Sequence, residues 1–592
     1  MNMRWSLDAL YPSFESDDFN SDLEKSFDMI NKIKTWSENN LEDSNNAAKK
    51  MEEYLKLEME CLNLYSKVSA FARLTSSVDA KNEKALKILD KLQSKATELT
   101  KPEVTFQKWL NTLDNLDDII SSSDFLKNHK FYIKENASKA KYLLSDEEEI
   151  LISKMSNTGS KAWANLQNVV SSTLMVDITV DDEEKKLPLP VVRNMAYNKD
   201  PNVRKNAYEA ELKAYKKIEE SSAAALNGIK GEVLTICEMR GYESPLEETL
   251  IKSRMDKETL DAMLTAMKES LPTFHRYYHR KAELLGYENG LPFYEMFAPI
   301  GEVDIEFSYE EAKNYIVKNF RSFSDELANF AKNAFEERWI DAEPREGKRG
   351  GAFCSNLHSI KESRILANFN GSFSNMTTLA HELGHGYHGH CLNDETVLNS
   401  SYTMPVAETA SIFCETIVEN AALKDANDKE ALSILESSIQ GYGQVIVDIY
   451  SRFLFESKLF EERKDHALSV NELKEIMTNS QKESYGHGLD HNYLHPYMWT
   501  NKPHYYYAGL NFYNFPYAFG LLFAKGVYAE YLKRGDLFVK EYDKLLRATG
   551  QNDIYDVCKM MNIDVHSVDF WRSSLNLIKE DIEKFIDLSK SI

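Results

Sequence analysis

The stretch TLAHELGHGYHGH, residues 378–390, places four histidines and one glutamate within ten positions. The whole chain of 592 residues has only 14 histidines, so this density is unusual. Ser374 or Asn375 can cap a helix that then runs through the stretch. The sequence therefore predicts a histidine-rich helix, and the directions in which its side chains point become the first question.

Three of the four histidines share one face of this helix. At about 100° per residue, His385 lies about 40° from His381, and His388 lies about 20° away on the other side. His390 falls near 180°, on the opposite face. We therefore expect His390 to take no part in any site that the other three form.

His381, Glu382 and His385 form an HExxH motif. Two imidazoles one turn apart can bind one zinc ion, and the glutamate between them can reach a water molecule at that ion. The alternative is a helix whose histidines only cap or pair at a surface, since so short a motif also arises by chance. Three glycines favour function, because each costs the helix about 1 kcal/mol relative to alanine. Gly384 would let another backbone or a substrate approach.

A catalytic zinc ion usually has three protein ligands and one open position. The longer pattern HExxHxxGxxH is not present, because His388 stands at the glycine position and Cys391 at the third histidine. Three imidazoles on consecutive turns of one helix do not converge on one tetrahedral centre. We therefore expect His388 to support the ligands or contact substrate, and we expect the third ligand from elsewhere.

The stretch TMPVAETASIFCETIVENAAL, residues 403–423, predicts a second helix with Pro405 in its first turn. Its glutamates could form a solvated acidic face, but small and apolar neighbours surround Glu408. We predict Glu408 as the third zinc ligand. Glu415 lies seven residues later on the same face and is expected to orient a zinc-bound imidazole. If Glu408 is not the ligand, Glu415 is the next candidate.

Composition limits the remaining possibilities. The net charge of −23 argues against a nucleic-acid partner and against anionic membrane surfaces. No apolar run approaches the ~18 residues of a membrane span, and the N-terminus MNMRWSLDALYPSFESDDF has no basic start followed by an apolar run. The six cysteines are dispersed, without CxxC pairs. These features predict a cytoplasmic protein and leave its oligomeric state open.

Most of the chain has the apolar spacing of helices, so we predict a mainly α protein. LMVDITV (174–180), followed by a charged turn and LPLPVV (187–192), predicts a short β-hairpin. The prolines there suggest an N-terminal helical domain over 1–195 and a catalytic domain over 196–592.

GGAFCS (350–355) and SRILANF (363–369) predict a second pair of strands just before the histidine cluster. This small sheet could line a cleft. Gly350 and Gly351 suggest a strand edge that an extended substrate backbone can approach, together with Phe353. Recognition through main-chain hydrogen bonds would tolerate many side chains.

With these residues identified, the chain resembles the M3 family of zinc peptidases, and within it the oligoendopeptidase F branch. The resemblance rests on HELGHGYH followed at the right distance by PVAETAS. Three further segments support it, namely GKRGGAF (347–353), HPYMWTNKPHYYY (495–507) and FYNFPYAFG (512–520). Membership implies an ellipsoidal helical fold with a deep channel between two halves, one zinc ion per chain, and hydrolysis of short peptides rather than folded proteins.

The same resemblance suggests residues that bind substrate and stabilise the oxyanion. His504, Tyr513 and Tyr517 are similar to the family's substrate-binding histidine and tyrosines, and either tyrosine could donate to the oxyanion. Phe353 and Phe515 stand where many oligoendopeptidases have tyrosine, so no hydroxyl role carries over to them. Glu382 is expected to act as general base and then to deliver the proton to the leaving amine.

Two other classes of protein compete with a zinc peptidase. A serine hydrolase is disfavoured because the chain has no GxSxG motif, and no cysteine has a recognisable nucleophile context. A peptide-binding or metal-storage protein would need the ligands but no general base. Glu382 therefore discriminates between storage and catalysis.

Overall fold

The computed structural model describes residues 2–180, 183–301 and 306–590. The chain is mainly helical, as predicted. The helices are α1 Asp17–Asn40, α2 Ala47–Val78, α3 Glu83–Ala96, α4 Thr100–Asn111, α5 Leu116–Ser121, α6 Asp124–Asn128, α7 Lys130–Lys139, α8 Asp146–Ser156, α9 Ser160–Ser172, α10 Leu189–Asn194, α11 Pro201–Tyr215, α12 Glu219–Arg240, α13 Pro245–Lys252, α14 Lys257–Leu284, α15 Tyr309–Arg321, α16 Asp325–Glu336, α17 Phe373–Cys391, α18 Met404–Asp425, α19 Asp428–Gly443, α20 Ile449–Arg463, α21 Val470–Tyr485, α22 Met498–Asn501, α23 Phe515–Arg534, α24 Asp536–Ala548, α25 Ile554–Met560 and α26 Val568–Ser589. Within these described ranges, no helix has both the length and the apolar character of a membrane span.

Five strands form small sheets in the described residues: β1 Met175–Val180, β2 Glu183–Pro188, β3 Ile340–Asp341, β4 Phe353–Leu357 and β5 Glu362–Leu366. β1 and β2 form an antiparallel hairpin. In the second sheet the order is β3-β5-β4, with β3 parallel and β4 antiparallel to the central β5.

The first hairpin lies where the sequence predicted one, but its second strand was placed too late. The charged run EEKKLP forms β2, and the chain then enters α10 at Leu189. Pro190 in the first turn of α10 explains the difference, because proline suits a helix start and cannot donate to a strand ladder. The charged turn predicted between the strands includes residues 181–182, which lie outside the described residues.

By contacts the chain divides into two compact units. Unit 1 comprises Met1–Leu143, Asp304–Ala421 and Glu530–Asn562, and unit 2 comprises Leu144–Val303, Ala422–Ala529 and Ile563–Ile592. The predicted domain boundary at residue 195 stays a prediction.

The core of unit 1 includes two described apolar clusters. One joins α1, α2, α4 and α7, and the other packs the N-terminal segment and α2 against the second sheet through residues such as Phe71, Leu357 and Leu366. β5 is therefore buried along almost its whole length. The sheet gives β4 a fixed support beside α17, the histidine-rich helix.

The core of unit 2 packs the first hairpin against helices that are distant in sequence. Val176 and Ile178 alternate with exposed residues along β1 and pack with apolar residues of α11 and α12. α19 continues into α20 through a π-helical turn, Gln444–Asp448. Such turns insert one extra residue into a helix and frequently occur at functional sites.

Candidate metal centre

Helix α17 carries the HExxH motif and is fixed at both ends. Its N-cap is Ser372, whose hydroxyl accepts a hydrogen bond from the Asn375 backbone N–H at 3.3 Å. The predicted caps, Ser374 and Asn375, are therefore wrong by two or three positions, because Ser372 satisfies that N–H first. Near the other end, the Tyr387 hydroxyl donates to Asp543 of α24 at 2.6 Å.

Gly384 allows a close crossing between α17 and α18. A Cβ atom at this position would lie 2.5 Å from the Ala410 carbonyl oxygen and 2.6 Å from the Ser411 Cα. Both atoms belong to the backbone of α18, so no side chain at 384 fits without moving a helix. Because glycine has no side chain, the two helices cross closely enough for the carboxylates of α18 to reach the imidazoles of α17.

His381, His385 and Glu408 form the cluster that we call the metal cluster. Their ligand atoms all lie within 4.8 Å of one another. Glu408 Oε2 lies 3.3 Å from His381 Nε2 and 3.5 Å from His385 Nε2. The structure therefore brings together the three residues that the sequence predicted as ligands.

Two side chains on α18 orient the metal cluster. His381 Nδ1 lies 3.1 Å from Glu415 Oε2, and as an N–H donor to that carboxylate it leaves Nε2 free as the ligand atom. The Ser411 hydroxyl donates to Glu408 Oε2 at 2.8 Å. Glu408, Ser411 and Glu415 are spaced by three and four residues, so they share one face of the helix.

The electrostatics of the metal cluster keep its carboxylate ionised. Burial lowers the pKa of His381, but hydrogen bonds to Glu408 and Glu415 outweigh it and raise the pKa to about 10. Burial lowers the pKa of His385 to about 4. Burial acts to raise the pKa of Glu408, whereas His381, His385 and Ser411 together lower it to about 2. The carboxylate is therefore held ionised between two imidazoles.

Glu382 lies beside the metal cluster and is not part of it. Its side chain is buried, and its Oε2 has no hydrogen-bond partner among the described residues. Burial raises the pKa of Glu382 to about 7. A buried oxygen without a partner is costly, so this atom needs a group that arrives with a ligand or with water.

The metal cluster and Glu382 open into a cavity of about 340 Å³. Phe353, Cys354 and Asn356 of β4 line it from the sheet side, and Tyr402 lines it from the segment before α18. Asn356 and Tyr402 are site residues that were not predicted from the sequence. Tyr402 lies six residues before Glu408, and Asn356 follows Cys354 by two along β4. Closeness in sequence to predicted elements is therefore the feature that could have suggested them.

Asn356 joins the sheet to α17. Its amide Nδ2 donates to the His385 carbonyl oxygen at 3.1 Å, and its Oδ1 accepts from the Ser363 hydroxyl of β5 at 2.8 Å. A Cβ atom at Gly389 would overlap this same amide. Gly389 therefore makes room for the side chain that fixes β4 against the metal-cluster helix.

The remaining two histidines of α17 have different surroundings. His388 is fully buried, its Nε2 lies 2.9 Å from the Thr549 hydroxyl, and its ring stacks on Tyr402 at 3.9 Å between centroids. It therefore supports the cavity through Tyr402. His390 faces Glu326 of α16, with 3.4 Å between Nε2 and Oε1.

The glycines predicted as a strand edge lie before the strand. Gly350 and Gly351 precede β4, and Gly351 has φ +76°, a left-handed conformation that interrupts an extended strand. The edge itself begins at Phe353. In the described residues β4 pairs with β5 alone, so its other edge has no strand partner.

His504, Tyr513 and Tyr517 lie together in unit 2. The rings of His504 and Tyr513 stack at 5.6 Å between centroids, and Tyr513 meets Tyr517 edge to face at 5.8 Å. His504 Nδ1 is buried without a hydrogen-bond partner in the described part of the chain. The structure thus groups the three residues that the family resemblance suggested, and their roles stay predictions.

The metal cluster suits zinc. Two imidazole nitrogens, one carboxylate oxygen and an adjoining open cavity form the ligand set of a catalytic zinc site, which keeps one position for water or substrate. A neighbouring carboxylate that is not a ligand completes the arrangement of a metallopeptidase. Fold and site therefore define a metalloendopeptidase, and comparisons with known proteins agree.

The chain belongs to peptidase family M3, whose sequence profile matches residues 194–577. Residues 105–175 match a second profile, described as oligopeptidase F. The suspected family is therefore confirmed, and the chain is a metallo-oligopeptidase.

Several relatives are similar over nearly the full chain. Oligopeptidase PepF of Bacillus subtilis (strain 168) is 24% identical over 596 residues, covering 99% of this chain and 87% of that relative. Group B oligopeptidase PepB of Streptococcus agalactiae serotype III is 25% identical and covers 90% of each chain. The solved structure of oligoendopeptidase-F from Enterococcus faecium has a TM-score of 0.72 at 17% identity, covering 97% of this chain and 100% of that chain. This last likeness shows a shared fold.

Proposed function

We propose that this protein is a zinc-dependent endopeptidase that hydrolyses short oligopeptides in the cytoplasm, with Glu382 activating the attacking water. One zinc ion per chain would be held by His381, His385 and Glu408. The observation that carries the proposal is the unpartnered, buried Oε2 of Glu382 beside three converging ligand atoms. A protein that only stored metal would have no use for this carboxylate.

The catalytic work divides between the ion and the chain. When bound, zinc lowers the pKa of water and polarises a carbonyl group. Glu382 accepts the proton of the attacking water and then donates it to the departing amine, so the proton passes from nucleophile to leaving group through one side chain. Glu415 keeps the His381 ring in the orientation that binding requires.

We propose short peptides in extended conformation as substrates. The free edge of β4, beginning at Phe353, would pair with a substrate backbone, and Gly350 and Gly351 leave open space beside it. Main-chain pairing gives broad side-chain tolerance. The cavity of about 340 Å³ at the metal cluster suits a short segment of a substrate. Restricted access for folded proteins is part of the proposal and rests on the family resemblance.

We also propose that His504, Tyr513 and Tyr517 bind substrate and stabilise the oxyanion. Support comes from their stacking in one group and from the unpartnered His504 Nδ1. Removing one oxyanion donor typically lowers kcat by about 10²–10³-fold. Comparing Tyr513→Phe with Tyr517→Phe would therefore identify the donor, and equal activity of both variants and the parent would remove this assignment.

The test of the proposed function separates metal binding from hydrolysis. Glu382→Gln removes the base while keeping the shape, so zinc content should stay at one per chain while kcat on a mixed peptide library falls by about 10²–10⁴-fold. Glu310→Gln, an exposed carboxylate of unit 1, is the matched control and should keep full activity. Parent-like turnover by Glu382→Gln would disprove the mechanism. Absence of hydrolysis in the zinc-loaded parent would instead favour storage or peptide binding.

A further inference from the structure

Unit 2 contains a second cavity, of about 310 Å³, that the proposed reaction does not use. We call it the Lys502 cavity. Its apolar walls include several aromatic residues, among them Tyr197, Tyr208, Phe293 and Phe297. Its polar lining is unusually charged, so the first question is how each buried charge is compensated.

Two of the guanidinium groups in this cavity pair with carboxylates. Arg204 pairs with Glu295, with 2.8 Å between Nε and Oε2, and both side chains are almost completely buried. It also donates to two backbone carbonyls. Arg193 Nε lies 3.3 Å from Glu211 Oε1. These pairs leave no net charge.

A third pair forms at the π-helical turn between α19 and α20. Asp448, the last residue of that turn, pairs with Arg452 one turn later, and both line the cavity. This interaction uses Arg452 Nη2, whereas the buried Nε–H of Arg452 has no hydrogen-bond partner among the described residues. One donor therefore remains available beside a neutralised pair.

Lys502 differs from the three arginines because it has no ion pair in the described residues. In the described part of the chain its ammonium group has no ion pair and no hydrogen bond, although Asp448 and Glu211 contribute weaker attraction at longer range. Burial, followed by repulsion from Arg452, lowers the pKa of Lys502 to about 8. Lys502 is partly buried, so an anion that enters the cavity can form a charge-assisted hydrogen bond with its unpaired ammonium group.

His495 supplies a third polar atom at the same cavity. The residue is 2% exposed, and its ring is packed among Tyr208, Tyr215 and Phe293. Its Nε2 lies 3.5 Å from Glu211 Oε1, which leaves Nδ1 as the atom without a partner in the described residues. With Nε2 protonated toward that carboxylate, Nδ1 is an acceptor for an N–H group.

We propose that the Lys502 cavity binds a small carboxylate that carries an apolar group and a neighbouring N–H, the chemistry of an amino acid or of the C-terminal residue of a peptide. The carboxylate would pair with Lys502 and with the free Nε–H of Arg452. The N–H would donate to His495 Nδ1, and the aromatic wall would cover the side chain. The volume suits one or two residues. Binding here does not depend on hydrolysis, so this inference stands apart from the proposed function.

The test uses the full-length zinc-loaded protein and isothermal titration. N-acetyl-L-phenylalanine represents a peptide C-terminus, free L-phenylalanine represents an amino acid, and N-acetyl-L-phenylalaninamide has the same shape without the carboxylate. We expect one of the two acids to bind and the amide to bind at least about tenfold more weakly. Whichever acid binds more tightly identifies the source of the carboxylate. Equal affinity for acid and amide, or no binding by either acid at millimolar concentration, would overturn the proposal.

Variants locate the site. Lys502→Met removes the charge at similar volume and should weaken binding of the acid by about 10–100-fold, whereas Lys216→Met, an exposed lysine of the same unit, should not. Lys502→Arg keeps a cation and should retain most of the affinity, which controls for misfolding. Because carboxylates also bind zinc, Glu408→Ala is included. Acid binding that survives Lys502→Met but is lost in Glu408→Ala would place the ligand at the metal cluster and disprove the inference.

Discussion

The metal cluster of unit 1 and the Lys502 cavity of unit 2 both bury several charged side chains, but they compensate those charges differently. In the metal cluster two imidazoles share one carboxylate, and their nitrogens converge on a common point. In the Lys502 cavity three cations pair with carboxylates, and a fourth has no ion pair among the described residues. The first arrangement attracts a cation and the second attracts an anion. Which charges lack a partner of opposite sign, rather than how many charges are present, thus predicts what each region binds.

The largest expected effect distinguishes the two regions by their ligands. Glu408→Ala should reduce zinc affinity by more than the 10–100-fold that loss of an outer hydrogen-bond partner costs, since it removes a direct ligand. The measurement is zinc content and affinity by metal titration against a chelating indicator. Lys502→Met should leave zinc affinity unchanged. Unchanged zinc binding in Glu408→Ala would reassign the third ligand, first to Glu415.

The second prediction concerns how the metal cluster is assembled. Gly384→Ala should destabilise unit 1 by about 1–3 kcal/mol, since a Cβ atom there overlaps backbone atoms of Ala410 and Ser411 in α18. The loss should appear as a lower midpoint of thermal unfolding and as weaker zinc binding. Gly441→Ala is the matched control, because a Cβ atom at that helical position meets nothing within 4 Å and alanine favours helix. If both variants behaved alike, the close crossing would not be what limits position 384.

A third carboxylate, Glu58, is a useful comparison, because in the described residues it belongs to neither a metal cluster nor an ion pair. Glu58 of α2 accepts from the Tyr132 hydroxyl at 2.7 Å, but its other oxygen has no partner among the described residues. Burial raises its pKa from 4.5 to about 7. The folded chain therefore holds a proton that the unfolded chain releases, so stability is lost as pH rises from about 4.5 to about 7.

Glu58→Gln should remove that loss. We expect the variant to be more stable than the parent by up to about 3 kcal/mol at pH 8 and nearly equal to it at pH 4.5. Unfolding midpoints across this range measure the difference, with the exposed Glu60→Gln on the same helix as control. A stability gain that did not change with pH would show that the charge of Glu58 is not its cause.

The smallest expected effect is that of a control variant in α17, at His390. His390→Ala should leave zinc affinity and kcat within about twofold of the parent, because its imidazole faces Glu326 on α16. His385→Ala, five positions earlier, should lose zinc. Loss of metal in His390→Ala would mean that the helix is rotated from the orientation described above.

The same comparison explains how much the sequence could predict. His381, Glu382 and His385 were found because one helical turn sets their relation, and local spacing is visible in a sequence. Glu408 and Glu415 followed from a second helix with its own spacing. Asn356 and Tyr402 were missed because only the packing of β4 and of the segment before α18 brings them to the cavity.

The Lys502 cavity, in contrast, could not be predicted from the sequence. Arg193, Glu211, Asp448, His495 and Lys502 come from segments spread over about 300 residues, and no short pattern relates them. The hairpin was predicted from β-branched residues, but the charged run of β2 was taken as a turn because polar residues are depleted in strands. Pairing with β1 outweighed that preference.

Asn356 has one further consequence. A single side-chain amide ties the free strand edge to the main chain of His385. A peptide paired with that edge would therefore be held in fixed register with the ion. The cleavage site would then depend on backbone pairing rather than on recognition of side chains. Such an enzyme would cleave at a fixed position along the bound backbone, whatever the side chains of the peptide.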